Sequence, residues 1–232
     1  MWSFSKKKKI VPPPTVVVND FFDELYAASI PMNTIFDVGA HWGLITQKCN
    51  QLFPAAHIYS FEPGSGAFAE LEKRGDGTNH IHPFNLAFGE KDDKLQLHIN
   101  AYDETNSILA SNSSIDEIYS LTKTSSLEEI EMMRLDSFCV LHSIHQIDLL
   151  KIDAQGYTYP ILQGAMEMMK QGKIKRIYAE VEFVELYEGE KLFSEVELLL
   201  RCNDFTFNGF YNMNRLQNKQ LAWADAHFIF HG

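Results

Sequence analysis

Short apolar runs alternate with helix-like segments along much of this chain, and this alternation constrains the fold more than any other feature. Residues 34–38 form a short apolar run of strand length, and residues 57–61 and 81–86 repeat it as further predicted strands. Segments with the spacing of an amphipathic helix, residues 44–53 and 67–73, lie between them. Such alternation predicts a parallel sheet with helices packed on its faces. At 232 residues, the chain is short enough to form one domain of this kind.

The alternation stops after the third run and begins again near residue 147. From there the pattern predicts, in chain order, a strand over 147–153, a helix over 159–171, a strand over 174–181 and a helix over 193–201. Two final strands are predicted over 205–211 and 226–230. In between, two segments of alternating apolar residues flank a loop rich in Ser and Asn at 106–126. We interpret residues 94–140 as an inserted rim or lid on a domain of residues 19–232. Residues 1–18, with consecutive lysines and prolines, are expected to form a flexible tail.

Charge and composition limit the partners and the location. Asp and Glu (31) outnumber Lys and Arg (20), so the net charge is -11 and a broad electrostatic contact with nucleic acid is disfavoured. Cys49, Cys139 and Cys202 are too far apart in sequence for a zinc motif, and reduced thiols are the simplest interpretation. No run of 18 apolar residues exists, and no apolar segment of signal-peptide length follows Lys6–Lys9. The sequence therefore predicts no transmembrane segment and a cytoplasmic location, and it makes no prediction of the oligomeric state.

One motif connects the first predicted strand to its helix: Asp37-Val38-Gly39-Ala40-His41-Trp42-Gly43. Its two glycines permit a tight turn and a close approach of the backbone to a ligand, and the helix that follows directs unpaired amides into the same space. The spacing is neither the three-glycine dinucleotide motif nor a phosphate loop ending in Lys-Ser/Thr. The motif therefore predicts a ligand-binding crevice whose candidate contacts are Asp37, Gly39, Ala40, His41 and Gly43.

Glu62 follows the second predicted strand. In an open parallel sheet it would lie at the carboxyl end of the strand beside the glycine loop, where it could accept hydrogen bonds from both hydroxyls of a ribose. An adenosine-type ligand fits this arrangement, and a solvated acid before Pro63 is the alternative. Asn85 and Leu86 follow the third strand, in a loop that adjoins the one carrying Glu62. We therefore expect Asn85 and Leu86 to line an adenine pocket.

These motifs resemble those of the Rossmann-like, S-adenosylmethionine-dependent methyltransferases, and among them the FkbM family, from about residue 33 to residue 230. The glycine loop matches the family pattern D-[VI]-G-A-N-x-G, Phe61-Glu62-Pro63 matches its ribose-binding acidic motif, and residues 148–156 match its I-D-L-L-K-I-D-x-E-G signature. Further family patterns are followed at residues 85–89, 134–136, 162–165 and 224–228. The resemblance implies an α/β, class I methyltransferase fold with S-adenosylmethionine as methyl donor. Its seven-stranded sheet is mostly parallel, with the last strand antiparallel and helices on both faces.

The chain departs from the family pattern in both of its main motifs. His41 replaces the usual Asn of the glycine loop, and Gln155 replaces the Glu of the E-G pair. Tyr157 and Thr158 stand where the family usually has a further acid. An amide keeps its hydrogen bonds but does not take up a proton or bind a cation strongly. A role of the family Glu in base catalysis is therefore not expected of Gln155.

Asp153 is the first candidate for catalysis. It ends the strand before the Gln155-Gly156 turn, on the same side as Lys151 and at the ligand-binding edge of the sheet. Gly156, which has no side chain, would leave room for a substrate. A hydroxyl that receives a methyl group must lose its proton, and one carboxylate could accept it. The alternative is that Asp153 only caps the next helix.

Glu180 and Glu182 lie on the same side of the next strand and are expected to border the same cleft as Asp153. We assign Glu180 a catalytic role beside Asp153. Acids on adjacent strands could also hold Mg²⁺, which would orient and acidify a hydroxyl. A solvated or Lys-paired strand end is an equal alternative for these glutamates, and we assign no metal ligand.

The resemblance implies a function: O-methylation of a hydroxyl on a sugar, a glycan or a small secondary metabolite, with S-adenosylmethionine as donor. Two alternatives stay open. The domain could bind the cofactor without catalysis and serve as an interaction module, which Gln155 would allow. It could also methylate nucleic-acid ribose through Lys151, Asp153 and Glu180, although the composition shows no basic groove.

Overall fold

The strands of the protein form two sheets in a computed structural model that describes residues 20–115 and 120–232. The tail predicted for residues 1–18 lies outside these ranges. In chain order the strands are β1 (Thr34–Val38), β2 (His57–Phe61), β3 (Ile81–Phe84), β4 (Ala87–Phe88), β5 (Asp93–Asn100), β6 (Thr124–Met133), β7 (Leu149–Ile152), β8 (Arg176–Glu182), β9 (Phe205–Arg215) and β10 (Leu221–Phe230).

The helices are short and pack against the larger sheet. Their bounds are α1 (Phe21–Ala27), α2 (Leu44–Leu52), α3 (Ser65–Gly75), α4 (Leu135–Leu141), α5 (Thr158–Gln163), α6 (Met166–Lys170) and α7 (Phe193–Arg201). Asp20 begins α1, because its side chain accepts hydrogen bonds from the N–H groups of Phe22 (2.9 Å) and Asp23 (3.1 Å). None of the helices in the described ranges is long and apolar enough to span a bilayer.

The larger sheet has seven strands in the order β3-β2-β1-β7-β8-β10-β9. β10 runs antiparallel to β8 and β9, whereas the pairs among β3, β2, β1, β7 and β8 are parallel. The predicted fold class is therefore confirmed, including the antiparallel last strand. From the centre of the sheet, β1, β2 and β3 follow one another toward one edge, and β7, β8, β10 and β9 follow toward the other edge. The order reverses between β1 and β7, the place where open α/β sheets bind ligands.

Successive side chains of β1 point to opposite faces of the sheet, and each face has its own apolar cluster. Ile35 packs with Phe21 in the cluster under α1 and α2. Phe36 packs with Phe138 and Ile161 in the larger cluster under α4, α5, α6 and α7. Helices therefore cover both faces of the sheet, as predicted.

The segment that interrupts the alternation forms a second sheet of order β4-β6-β5. The two strands expected on either side of its loop are β5 and β6, which pair antiparallel. Leu97 and Ile130 attach this sheet to the larger core. The connection between β5 and β6 contains a short 3₁₀ turn at Asp103–Thr105 and borders the reversal point of the main sheet. A role of this insertion as a lid stays a prediction.

Two helical regions differ from the sequence prediction. The helix predicted over residues 159–171 is divided at Gly164 into α5 and α6, and a Cβ at Gly164 would overlap the carbonyl oxygen of Gly89, so only glycine fits at the division. The sequence pattern also gave no indication of α4, at the end of the insertion. Within α4, Asp136 accepts hydrogen bonds from two main-chain amides at the start of α6 (both 3.0 Å) and so caps that helix.

Candidate functional site

A cavity of about 460 Å³ opens at the carboxyl ends of the central parallel strands. This volume lies in the usual range for small-molecule sites. Its walls come from the loops after β1, β2 and β7, from β8 and from the insertion. The predicted site residues that line it are Gly39, Ala40, His41, Glu62, Leu86, Asp153 and Glu180. Three other predicted residues lie outside its lining: Asp37, Gly43 and Asn85.

The two glycines of the loop after β1 both have a positive φ, 71° at Gly39 and 82° at Gly43. A Cβ on Gly39 would overlap the carbonyl oxygen of Asp153, and a Cβ on Gly43 would lie 2.7 Å from Leu71 Cδ1. At Gly39 the loop therefore packs too closely on the backbone after β7 for any side chain, whereas at Gly43 the positive φ is the stronger reason for glycine. This packing is a reason for glycine in addition to the approach of a ligand.

His41 joins the glycine loop to its surroundings. Its φ is 47°, in the left-handed region where Asn and His are both enriched, so it can replace the Asn of the family pattern. Its main-chain N–H donates to Glu62 Oε2 (2.9 Å), and its ring Nε2 lies 3.2 Å from Asp103 Oδ2 in the insertion. The ring also stacks on Trp42, with 4.7 Å between the ring centroids.

Glu62 is held at the end of β2 by the main chain. Besides the bond from His41, its Oε1 accepts a hydrogen bond from the N–H of Gly64 (2.8 Å). Burial raises the pKa of Glu62, and the two N–H donors oppose that rise. Each carboxylate oxygen uses one main-chain donor, which leaves further lone pairs for the hydroxyls of a ligand.

Asn85 is exposed and supports the loop after β2. Its Nδ2 donates to the carbonyl oxygens of Glu62 (2.9 Å) and Pro63 (2.8 Å). Leu86, in contrast, lines the cavity. The expected contact of these two residues with adenine stays a prediction.

Asp37 lies fully buried beneath the glycine loop. Its Oδ1 is 3.0 Å from Lys151 Nζ, and its Oδ2 accepts a hydrogen bond from Thr46 (2.7 Å). Lys151 also donates to the carbonyl oxygen of Gly39 (2.9 Å). Burial alone would lower the pKa of Lys151, but Asp37 and Asp153 raise it above its ordinary value. Asp37 thus joins β1 to β7 through Lys151 and to α2 through Thr46. The lysine that a Lys-Asp-Glu methylation site would need is held in this buried ion pair.

Gln155 connects the two carboxylates proposed for catalysis. Its Nε2 donates to Asp153 Oδ1 (2.8 Å) and to Glu180 Oε1 (2.9 Å). Its Oε1 accepts a hydrogen bond from the hydroxyl of Tyr187 (2.9 Å), which fixes the orientation of the amide. Ser107 in the insertion donates to the carbonyl oxygen of Gln155 (2.6 Å). The structure thus brings Asp153 and Glu180 together on one wall of the cavity.

Three glutamates at this end of the cavity, Glu180, Glu182 and Glu190, have pKa values above the ordinary value of the residue. Burial raises the pKa of Glu180 well above its ordinary value, and the nearby charges of Asp153 and Glu182 raise it further. Burial and Glu190 likewise raise the pKa of Glu182, and burial raises that of Glu190 to about 7. Within the described ranges, no three His, Cys, Asp or Glu side chains are arranged to hold a metal ion.

Tyr187 is the residue of this site that the sequence analysis missed. A Cβ at Gly156 would lie 2.9 Å from Tyr187 Cδ2 and 2.5 Å from Glu190 Oε2, so these side chains occupy the room expected for a substrate. The two residues that bond to Gln155 are distant from it in sequence: Tyr187 lies 32 residues after Gln155, and Ser107 lies 48 residues before Gln155. No local pattern relates positions so far apart, so only the fold could reveal these contacts.

Comparison with known proteins gives a family. The sequence model of one protein family, the methyltransferase FkbM domain, matches residues 37–207. One curated relative is the 2-O-methyltransferase NoeI of Sinorhizobium fredii (strain NBRC 101917 / NGR234). It is 26% identical over 167 residues, which cover 69% of this chain and 68% of the relative.

Solved methyltransferases share the fold at low sequence identity. Magnesium protoporphyrin IX methyltransferase (ChlM) of Synechocystis PCC 6803, with bound S-adenosylmethionine, aligns with a TM-score of 0.50 and 10% identity, over 90% of this chain and 78% of its own. The N-terminal domain of human METTL16 aligns with a TM-score of 0.50 and 9% identity, over 91% of this chain and 68% of its own. Since the family model extends from the end of β1 into β9, the chain belongs to the FkbM family of S-adenosylmethionine-dependent methyltransferases.

Proposed function

We propose that this chain transfers the methyl group of S-adenosylmethionine to a hydroxyl oxygen of a sugar, a glycan or a small metabolite. The observation that carries the proposal is the pair of carboxylates, Asp153 and Glu180, joined by Gln155 in the same cavity as Glu62. The name of the relative NoeI, a 2-O-methyltransferase, supports oxygen as the acceptor atom.

The residues around the glycine loop fit the donor. Glu62 offers carboxylate oxygens at the end of β2, where they can accept hydrogen bonds from ribose hydroxyls. Leu86 supplies an apolar wall on the same side of the sheet. Ala40 and His41 line the cavity from the loop between β1 and α2. Nucleotide-like ligands usually bind against this loop in folds of this topology.

Asp153 would act on the acceptor. Bound S-adenosylmethionine supplies an electrophilic methyl group on a sulfonium, and the acceptor oxygen attacks that carbon as the carbon–sulfur bond breaks. The electron pair of that bond stays on sulfur, which leaves as a neutral thioether, and Asp153 accepts the proton that the hydroxyl loses, so the methyl ether is neutral as well. Glu180, with its raised pKa, retains a proton over a wider pH range and can donate a hydrogen bond to the acceptor.

Gln155 does not remove the base from this arrangement. Its amide holds Asp153 and Glu180 by hydrogen bonds, and Asp153 keeps a second carboxylate oxygen for the acceptor. The alternative of an inactive interaction module therefore has no support from this position. Screening sugars, glycans and small metabolites for release of S-adenosylhomocysteine tests the proposal, and binding of the donor without turnover on any hydroxyl acceptor would favour the interaction module.

Glu62→Ala should weaken the binding of S-adenosylmethionine at least about tenfold. Hydrogen bonds to a charged group contribute roughly 1.5–3 kcal/mol each, and the variant would lose those to the ribose. Titration calorimetry measures the change. Glu70→Ala is the control, because Glu70 is an exposed acid of α3 paired with Lys73. Equal affinity of wild type and Glu62→Ala would remove the ribose assignment.

A structure with bound cofactor should show adenine beside Leu86 and Asn85. The loop after β3 adjoins the loop of Glu62, and Asn85 already bonds to that loop. Asn85 Oδ1 is not used in these bonds and can accept from the adenine amino group. Adenine more than about 6 Å from both residues would contradict this prediction, because that distance exceeds packing contact.

A further inference from the structure

The mouth of the cavity carries exposed apolar side chains. Four large ones line the cavity while leaving much of their surface in water, and we call them the apolar rim: Trp42 (40% exposed), Leu44 (60%), Tyr102 (46%) and Leu121 (48%). Another wall bears the buried or half-buried carboxylates of the proposed catalytic group. The cavity therefore has carboxylates in its interior and exposed apolar side chains at its mouth.

The apolar rim has members on both sides of the cavity mouth: Trp42 and Leu44 at the glycine loop and the start of α2, and Tyr102 and Leu121 in the insertion. The N–H of Tyr102 donates to the carbonyl oxygen of Leu121 (3.1 Å), so these two residues are neighbours across the insertion. Asp103, next to Tyr102, contacts the ring of His41, and that ring stacks on Trp42. These contacts connect the two sides of the rim, with the polar side chains of His41 and Asp103 between Trp42 and Tyr102.

The insertion side of the apolar rim adjoins the acceptor end of the cavity. Ser107 bonds to the carbonyl oxygen of Gln155, and the hydroxyl of Tyr187 is 3.1 Å from the carbonyl oxygen of Thr105 as well as bonded to Gln155. The same insertion thus carries part of the rim and contacts the residue between the two catalytic carboxylates. A molecule with a hydroxyl near Asp153 would extend outward over this surface.

We propose that the acceptor is an amphiphile, with its reactive hydroxyl at Asp153 and an alkyl, acyl or aromatic substituent on the apolar rim. This inference rests on the proposed function, and it specifies the substrate class of the same site. Exposed apolar side chains gathered around one cavity are typical of binding surfaces. A bare sugar would leave the rim in water, whereas an apolar substituent would remove it from water and gain affinity from that burial.

Binding of simple glycosides tests the proposal without turnover. With S-adenosylhomocysteine present, hexyl β-D-glucopyranoside should bind about 30-fold or more tightly than methyl β-D-glucopyranoside, because each of the five added methylenes contributes at least about twofold when buried. Phenyl β-D-glucopyranoside is measured beside them. The tighter of the hexyl and phenyl compounds identifies an alkyl or an aromatic substituent. Calorimetry below the micelle concentration gives the affinities.

Two variants locate the effect. The double substitution Leu44→Ser and Leu121→Ser should reduce the advantage of the hexyl compound about tenfold, since it removes two apolar contacts. Leu198→Ser is the matched control, because Leu198 is exposed to a similar extent (51%) on α7 and does not line the cavity. The control should keep the full advantage of the hexyl compound.

Three results would overturn the proposal. The methyl and hexyl compounds could bind equally, the double variant could behave like the control, or sedimentation could show that the rim residues hold two copies of the chain together. Binding of S-adenosylmethionine is measured in the same preparations. Normal cofactor binding with no dependence on the substituent rejects the amphiphile alone, whereas absent cofactor binding rejects the proposed function itself.

Discussion

Asp153→Asn should lower turnover by about 10²- to 10⁴-fold while the protein stays folded, because removal of a general base commonly has an effect of that size. The main-chain carbonyl of Asp153, which lies against Gly39, is unchanged by this substitution. An asparagine can also keep the hydrogen bond from Gln155 through its remaining oxygen. The loss should therefore appear in kcat, with a much smaller change in the affinity for S-adenosylmethionine.

The comparison variant for this experiment is Asp93→Asn. Asp93 is an exposed acid at the start of β5 that pairs with Lys91, so its loss removes the same charge far from the proposed chemistry. Near-normal turnover of a folded Asp153→Asn protein on its true acceptor would remove the base assignment. A collapse of cofactor affinity would move Asp153 to the cofactor site.

Lys151→Met should lower the free energy of unfolding by about 3–5 kcal/mol, because breaking a buried ion pair leaves a charge without compensation. Asp37 is fully buried, and without Lys151 only Thr46 would remain to bond its carboxylate. For a chain of this size the melting temperature should fall by roughly 6–20 °C. Thermal and urea unfolding of the ligand-free protein measure the change.

Two further variants separate the charge from the volume of the lysine. Asp37→Asn combined with Lys151→Met should recover part of the loss, since the unpaired charge is gone. Lys191→Met removes a lysine of an exposed ion pair with Glu195 and should change the unfolding midpoint little. A Lys151→Met protein as stable as the wild type would show that the buried pair does not stabilise the junction of β1 and β7.

The strands of the site could be predicted from the sequence because buried parallel strands are nearly continuous apolar runs. The run from Thr34 to Val38 became β1, and the run from His57 to Phe61 became β2, with the predicted bounds. Helix ends were harder to predict. The predicted helix is divided at Gly164, where the close approach of Gly89, 75 residues away in sequence, admits only glycine, and a contact so distant in sequence enters no periodicity argument.

The candidate site divides in the same way. Gly39 and Glu62 could be found because each follows a strand at the edge where the parallel strands end. The sequence suggested that Gly156 made room for a substrate, but the contact with Tyr187 depends on a loop after β8. Asp37 was assigned to the cofactor from its place in the motif, and the structure shows it in a buried pair with Lys151 beneath the glycine loop. The position of Asp37 in the motif indicates that it has a role at the glycine loop, but only its contacts in the fold show what it binds.

The position of β10 has a consequence for how the protein is made. β10 follows every other strand in the chain, yet it lies between β8 and β9 in the sheet. During synthesis β8 therefore emerges before the strand that will pair with it, and β8 waits with an open edge. Unpaired strand edges are sites of aggregation. The parallel half can assemble during synthesis, but the sheet closes only when residues 221–230 have left the exit tunnel.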